Sequence, residues 1–347
     1  MIRARAIHSF LATDDNFSIK LPLVFFAAFD LPTAPASAGI SWPDVALSFF
    51  AIVLEGAPFL LLGAIVSGLV DVFLPANVIK DWLPKSKTQG LFAALGAGLI
   101  FPLCECGAMP IVQRLIRKGV PPSVATTYML AAPALNPLAL FSTWLAFRNQ
   151  DPWLMVVLRF GFSFLVLLFL GFWLSKLRPD EMLRPETLIG PGRKSAESLS
   201  PNPGLTLTPS PGLSIGGLQQ FTGAVIRDFT GVLLFLVIGA AVAAIFSTGF
   251  NRNLLAPIGH SIVLGPLAGI LLAQLLCLCS TTDAFIIAAF TPFSISAKIA
   301  FLVAGPLIDL KLYWLYRSAF QARFVHALWF RALAATFLLT LLYSMHP

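Results

Sequence analysis

Charge is scarce in this chain. Only 11% of its 347 residues are Asp, Glu, Lys or Arg, less than half of the roughly 25% found in soluble domains. With 57% hydrophobic residues beside so few charges, a water-facing surface cannot be assembled. A soluble chain with outsized buried helices fails on size, because one core stops growing near about 250–300 residues. Histidine is rarer still, with four residues and no tract. No Cys-x-x-Cys or zinc-finger spacing occurs, which removes the usual signs of a zinc site or a thioredoxin-like centre. No Gly-x-x-x-x-Gly-Lys-Ser/Thr stretch is present, so the chain shows no ATPase module of its own. Nothing in the pattern calls for a cofactor. The formal charge of +7 would suggest nucleic acid in a soluble protein. Here it reads as the basic bias of cytoplasmic loops, and nucleic acid is not an expected partner.

What fills the chain is apolar sequence. Runs at 45–70, 121–147, 152–175, 221–246, 297–320 and 324–343 approach or exceed the roughly 20 residues that cross a bilayer. Glycine (25) and proline (26) are plentiful, and membrane helices tolerate both where the freed backbone groups face protein or a cavity. The expected fold is an all-α, polytopic membrane protein with the lipid bilayer as its first partner.

Cysteine is sparse, and its placement is informative. The four cysteines form two Cys-x-Cys pairs, Cys104-Glu105-Cys106 and Cys277-Leu278-Cys279, 173 residues apart. The same offset carries Pro133 onto Pro306, Asn136 onto Asp309, Gly96 onto Gly269, Pro84 onto Pro257 and Glu55 onto Asp228. A Cys-x-Cys disulfide would close a small, strained ring, so free thiols are expected. A duplicated membrane unit with polar, helix-breaking residues at matching positions is the pattern of a secondary transporter.

The charges suggest a topology. The apolar run 90–103 has 14 residues, about 21 Å of helix, too short for a hydrocarbon core of about 30 Å. If 90–118 turned back at the cysteines, Lys80, Lys85 and Lys87 would share the cytoplasmic side with Arg114, Arg117 and Lys118, which read as surface anchors. Each repeat would then have three transmembrane helices plus one re-entrant hairpin. An odd number of crossings inverts the second repeat, with 263–291 as its hairpin entered from outside. Parallel repeats are the competing arrangement. The domain reading is an N-terminal extension or signal-like segment (1–44), a first repeat (45–175), a flexible cytoplasmic linker (176–217) and a second repeat (218–347). Sixteen of the 28 residues from Gly190 to Gly217 are Gly, Pro or Ser, which marks the linker as a break between repeats.

Candidate site residues follow from cost and chemistry. Thiolates prefer soft metals and metalloids, so Cys104, Cys106, Cys277 and Cys279 are candidate soft ligands. An ionisable group inside a span costs roughly 2.5–3.5 kcal/mol on insertion scales and so faces a cavity or a partner. Glu105, Asp283 and Asp309, with the polar Asn136, are candidate solute-binding groups. Glu55 and Lys311 are candidate coupling charges, and Glu55 is a candidate partner for Arg159. Asp309 and Lys311 would offset each other only in part, because residues i and i+2 do not share a helix face. Against each stands a plain packing role for a buried thiol, or a kink with a buried ion pair.

The stretches Pro102-Leu103-Cys104-Glu105-Cys106-Gly107, Lys118-Gly119-Val120-Pro121, Ala131-Ala132-Pro133-Ala134-Leu135-Asn136-Pro137, Cys279-Ser280-Thr281-Thr282-Asp283-Ala284-Phe285 and Gly305-Pro306-Leu307-Ile308-Asp309-Leu310-Lys311 carry a resemblance. Together they resemble the permease family that includes the organoarsenical efflux permeases. In that family the acid between the first cysteines is commonly Asp, where this chain has Glu105. The resemblance implies an inner-membrane permease that exports its solute. The cargo, a small thiophilic, metalloid or metal solute, is read from the cysteine pairs and not from the resemblance, and an enzyme is not expected. A homodimer or an accessory subunit stays open. The rivals are an intramembrane thiol oxidoreductase, which would need one low-pKa attacking thiol, and a channel or scaffold subunit of a larger complex.

Overall fold

A computed structural model describes residues 42–73, 86–100, 103–184, 215–249, 259, 261–290 and 293–345. The N-terminal segment and most of the assigned linker lie outside the described residues, as do the side chains of Glu55, Cys106 and Asp228. The described chain is helical throughout: α1 (Trp42–Phe73), α2 (Lys87–Ile100), α3 (Glu105–Arg117), α4 (Pro122–Ala134), α5 (Pro137–Ala146), α6 (Pro152–Leu174), α7 (Pro179–Met182), α8 (Ile215–Gly249), α9 (Leu264–Leu276), α10 (Asp283–Ala289), α11 (Ile295–Leu307), α12 (Leu310–Tyr316) and α13 (Ala322–Met345). The 173-residue offset survives in these bounds. Displaced by it, α4 begins and ends where α11 does, and α1 and α5 begin where α8 and α12 do.

Five segments are long and apolar enough to cross a membrane: Trp42–Leu69, Pro122–Ala146, Pro152–Leu174, Phe221–Val242 and Ala322–Met345. The sixth expected span, 297–320, divides into α11 and α12. The reason is local. Ile308 and Asp309 are extended (φ −167° and −123°), which ends the helix for two residues. Its mate breaks more gently, at Leu135 and Asn136, where Pro137 lacks the N–H that a continued helix would use.

The core is built on α4 and α11. Ten residues of α4, Ala125 to Ala134, and twelve of α11, Ser296 to Leu307, are buried. These two helices touch each other, and contacts across the halves are reciprocal: α3 lies on α12 and α10 on α5, while α1 pairs with α8 and α6 with α13. Leu47, Phe50, Leu54, Leu61 and Leu62 of α1 and Ile226, Leu234 and Ile238 of α8 are exposed, as lipid-facing positions are.

Specific contacts fix directions. Trp173, late in α6, stacks on Phe324, early in α13, whereas Phe162 meets Tyr343 near the end of α13. These two helices therefore run antiparallel. Gly68, late in α1, lies against Phe221 and Val225, early in α8. Lys298 at the start of α11 donates to Gln150, just past α5 (3.0 Å). Gln321, just past α12, holds the carbonyls of Asp180 and Leu183 (2.6 and 2.9 Å), next to helix α7, which touches α4.

The short helices enter alongside their neighbours. Gly90 faces Val124 and Gly98 faces Ala131, so α2 starts level with α4 and runs beside it. Helix α3 leads back through Lys118 to Val120 to the start of α4. In the second half, Ser294 N–H donates to the Gly259 carbonyl (3.1 Å), so the approach to α9 and the exit from α10 meet. Ser344, at the far end of α13, donates to Ile262 O nearby (3.0 Å).

Candidate functional site

Helix α3 begins at Cys104, whose Sγ accepts from the Gly107 N–H (3.3 Å) as its N-cap. Glu105 follows in the first turn and is buried. The turn fits because Gly107 lies against Gly63 of α1 so closely that a Cβ on Gly63 would overlap the Gly107 carbonyl. In the other half, α9 ends at Cys277, which takes a left-handed conformation (φ 50°, ψ 42°). The backbone stays unwound until α10 starts at Asp283.

The two cysteine segments meet. Glu105 Oε1 accepts the Ser280 N–H (3.2 Å), and its Oε2 faces the Cys279 thiol, a weak S–H···O contact at 3.8 Å. Asp283 is held by Arg159 of α6 in a two-pronged ion pair, Nη1 to Oδ1 at 3.1 Å and Nη2 to Oδ2 at 2.8 Å. Arg159 also donates to the Ser280 carbonyl (2.9 Å) and the Thr143 hydroxyl (2.6 Å). Arg159 and Asp283 are almost wholly buried. Glu105, Cys279, Asp283 and Arg159 thus form one chain of contacts across the two halves. Among the described residues the ion-pair partner of Arg159 is Asp283; the side chain of Glu55, its candidate partner, lies outside them.

A second cluster lies at the other end of the same unwound loop. Lys311 Nζ donates to the Cys277 carbonyl (3.3 Å) and stands 3.7 Å from Asp309 Oδ2. These neighbours in sequence meet because Asp309 is not helical. It is the extended N-cap of α12, and its Oδ1 accepts the Leu312 N–H (2.6 Å). Asn136 plays the matching role for α5, accepting from Leu138 N–H (2.8 Å). The Cys277 thiol donates to Gln274 O (3.1 Å). Gln274 in turn bonds Ile308 O and the Trp329 indole.

Cys104, Cys277 and Cys279 are free thiols. Among the described residues no three His, Cys, Asp or Glu side chains converge as a metal-ligand set. Arg114, expected at the surface beside Arg117 and Lys118, is buried, whereas Arg117 is exposed. Thr143, Ser280, Gln274 and Trp329 escaped the sequence reading. None carries charge, and each acquires its polar role only from a partner distant in sequence. Arg159 entered the sequence reading only as a candidate partner of Glu55, not as a site residue.

The family model described as "Predicted permease" matches residues 42–345. UPF0718 protein YcgR of Bacillus subtilis is 37% identical over 287 residues, 81% of this chain and 90% of that protein. A Streptococcus mutans protein, named as a candidate subunit of a two-component membrane permease complex, is 32% identical over 80% of this chain and 87% of its own length. UPF0718 protein YraQ of Escherichia coli is 31% identical over a shorter stretch, 28% of this chain. No solved structure matches. The match extends from the first described helix to the last and takes in both cysteine segments: the chain belongs to the ArsP_1 family of predicted permeases, as a multi-pass protein of the cell membrane.

Proposed function

We propose that the chain is a secondary permease that carries a small thiophilic solute, a metalloid or a soft metal ion, out of the cell. Two inverted repeats, each with three crossings and a re-entrant hairpin, would form it. The antiparallel run of α6 against its mate α13 supports the inversion, as does the seating of the start of α11 at the end of α5. The hairpins are supported by the level start of α2 and α4 and by the meeting of Ser294 with Gly259. From Pro122 to Ala131, where Gly98 lies, α4 rises about 14 Å, near half of a hydrocarbon core of about 30 Å. The hairpin tips then stand close to mid-membrane.

One observation carries the site: Glu105 at one tip grips Ser280 N–H and faces Cys279 at the other. In this reading Cys104, Cys106 and Cys279 are soft ligands for the passing solute. Cys277 joins them when its bond to Gln274 opens. Glu105, Asn136, Asp283 and Asp309 supply polar groups, and Glu55 and Lys311 the coupling charges for an ion gradient. Outward direction rests on the resemblance to the organoarsenical exporters. An accessory subunit is supported by the name of the S. mutans relative; a tagged copy should co-purify with one, and isolation of the chain alone from cross-linked membranes would count against it.

Growth of a deletion strain on arsenicals, zinc and copper identifies the solute. Everted vesicles then test the mechanism. Serine replaces a soft sulfur by a hard oxygen of similar size, so Cys104→Ser and Cys279→Ser should each abolish uptake at unchanged expression. Full uptake by a cysteine-free chain would remove the soft-ligand mechanism and leave the family assignment intact.

A further inference from the structure

The segment between Cys277 and Asp283 lacks the regular hydrogen bonding of a helix. Its own backbone supplies two bonds to Cys279 O, from Thr282 and Asp283 N–H (both 3.0 Å). Thr281 and Thr282 hydroxyls add short-range contacts to Cys279, and side chains from elsewhere reach the loop as well: Lys311 on the Cys277 carbonyl, Glu105 on Ser280 N–H, and Arg159 on both Ser280 O and Asp283. Arg159 reaches this loop from α6, over 120 residues away in sequence. It has no counterpart in the other half. The offset carries it to Ala332, and the neighbouring Arg331 lies over the Trp173 ring (4.4 Å).

We propose that Arg159 is a positioning residue of the permease. Its two terminal nitrogens grip Asp283, one of them also takes the Ser280 carbonyl, and Thr143 holds the other. This fixes the loop so that Ser280 N–H and the Cys279 thiol arrive together at Glu105. The task requires a planar fork with several donors in fixed directions. A lysine would supply the charge at a single point. The meaning of this role rests on the permease reading; the test below does not.

The test uses full-length chains in native membranes that retain either Cys279 or Cys104 as their one cysteine. The readout is the rate of modification by N-ethylmaleimide, which follows thiol exposure and ionisation. Arg159→Gln should raise the Cys279 rate by about tenfold or more through local opening of the loop, while the Cys104 rate stays within about twofold. Arg159→Lys should give a smaller, equally selective rise. If Arg159→Gln does not accumulate in the membrane, Asp283→Asn, nearly the same in shape, should show the selective rise. An unchanged Cys279 rate overturns the proposal. So does an equal rise at both cysteines, because that reports general loosening. A selective rise in a chain whose Cys279→Ser variant still transports leaves the positioning role standing and removes the thiol site.

Discussion

Arg159 exposes none of its surface, and Asp283 little more. Removing one member of such a pair leaves an uncompensated buried charge, a loss of about 3–5 kcal/mol, whereas replacing both with apolar groups of similar size is often neutral. Asp283→Leu should therefore lower the thermal unfolding midpoint in detergent markedly, and Arg159→Met with Asp283→Leu should recover most of it. Equal midpoints for the parent and the Asp283→Leu chain would mean that the pair carries no such energy. The sequence offered Asp283 as a candidate site residue and Glu55, whose side chain lies outside the described residues, as a candidate partner of Arg159. Pairing across 124 residues leaves no periodic trace, so only the fold reveals it. Asp309 shows a different gap. Its closeness to Lys311 contradicts helical spacing because the residue lies outside the helix it caps.

Helices make the next level, and here the sequence was easier to read. The apolar run 90–103 announced a short helix, although α2 is Lys87–Ile100, three residues earlier at each end, and the proline at the start of α4 and Pro137 of α5 mark where those helices begin. Less visible was how far the repeat mates diverge in packing. Gly96 and Gly269 correspond by sequence, but a Cβ on Gly96 would meet open space while one on Gly269 would overlap the Ala297 carbonyl of α11. Gly96→Ala should leave the unfolding midpoint unchanged or raise it, since alanine favours a helix by about 0.5–1 kcal/mol. Gly269→Ala should lower it by forcing α9 away from α11. Identical responses at the two positions would mean that the helix pairs are packed alike.

For the whole molecule, the proposed topology has two hairpins that enter from opposite faces of the membrane and meet at Glu105 and Cys279. The 173-residue repeat announced the duplication, and the basic residues suggested the inversion. The meeting of the tips depended on side chains whose partners lie in the other half. Labelling with a membrane-impermeant thiol reagent in otherwise cysteine-free chains tests this most directly, using single cysteines introduced at positions 87, 118, 261 and 295. The account predicts that 87 and 118 react from the cytoplasmic face, and that 261 and 295 react from the opposite face. Labelling of 87 and 118 from opposite faces would make 87–118 a crossing helix, and would contradict both the hairpins and the inversion built on them.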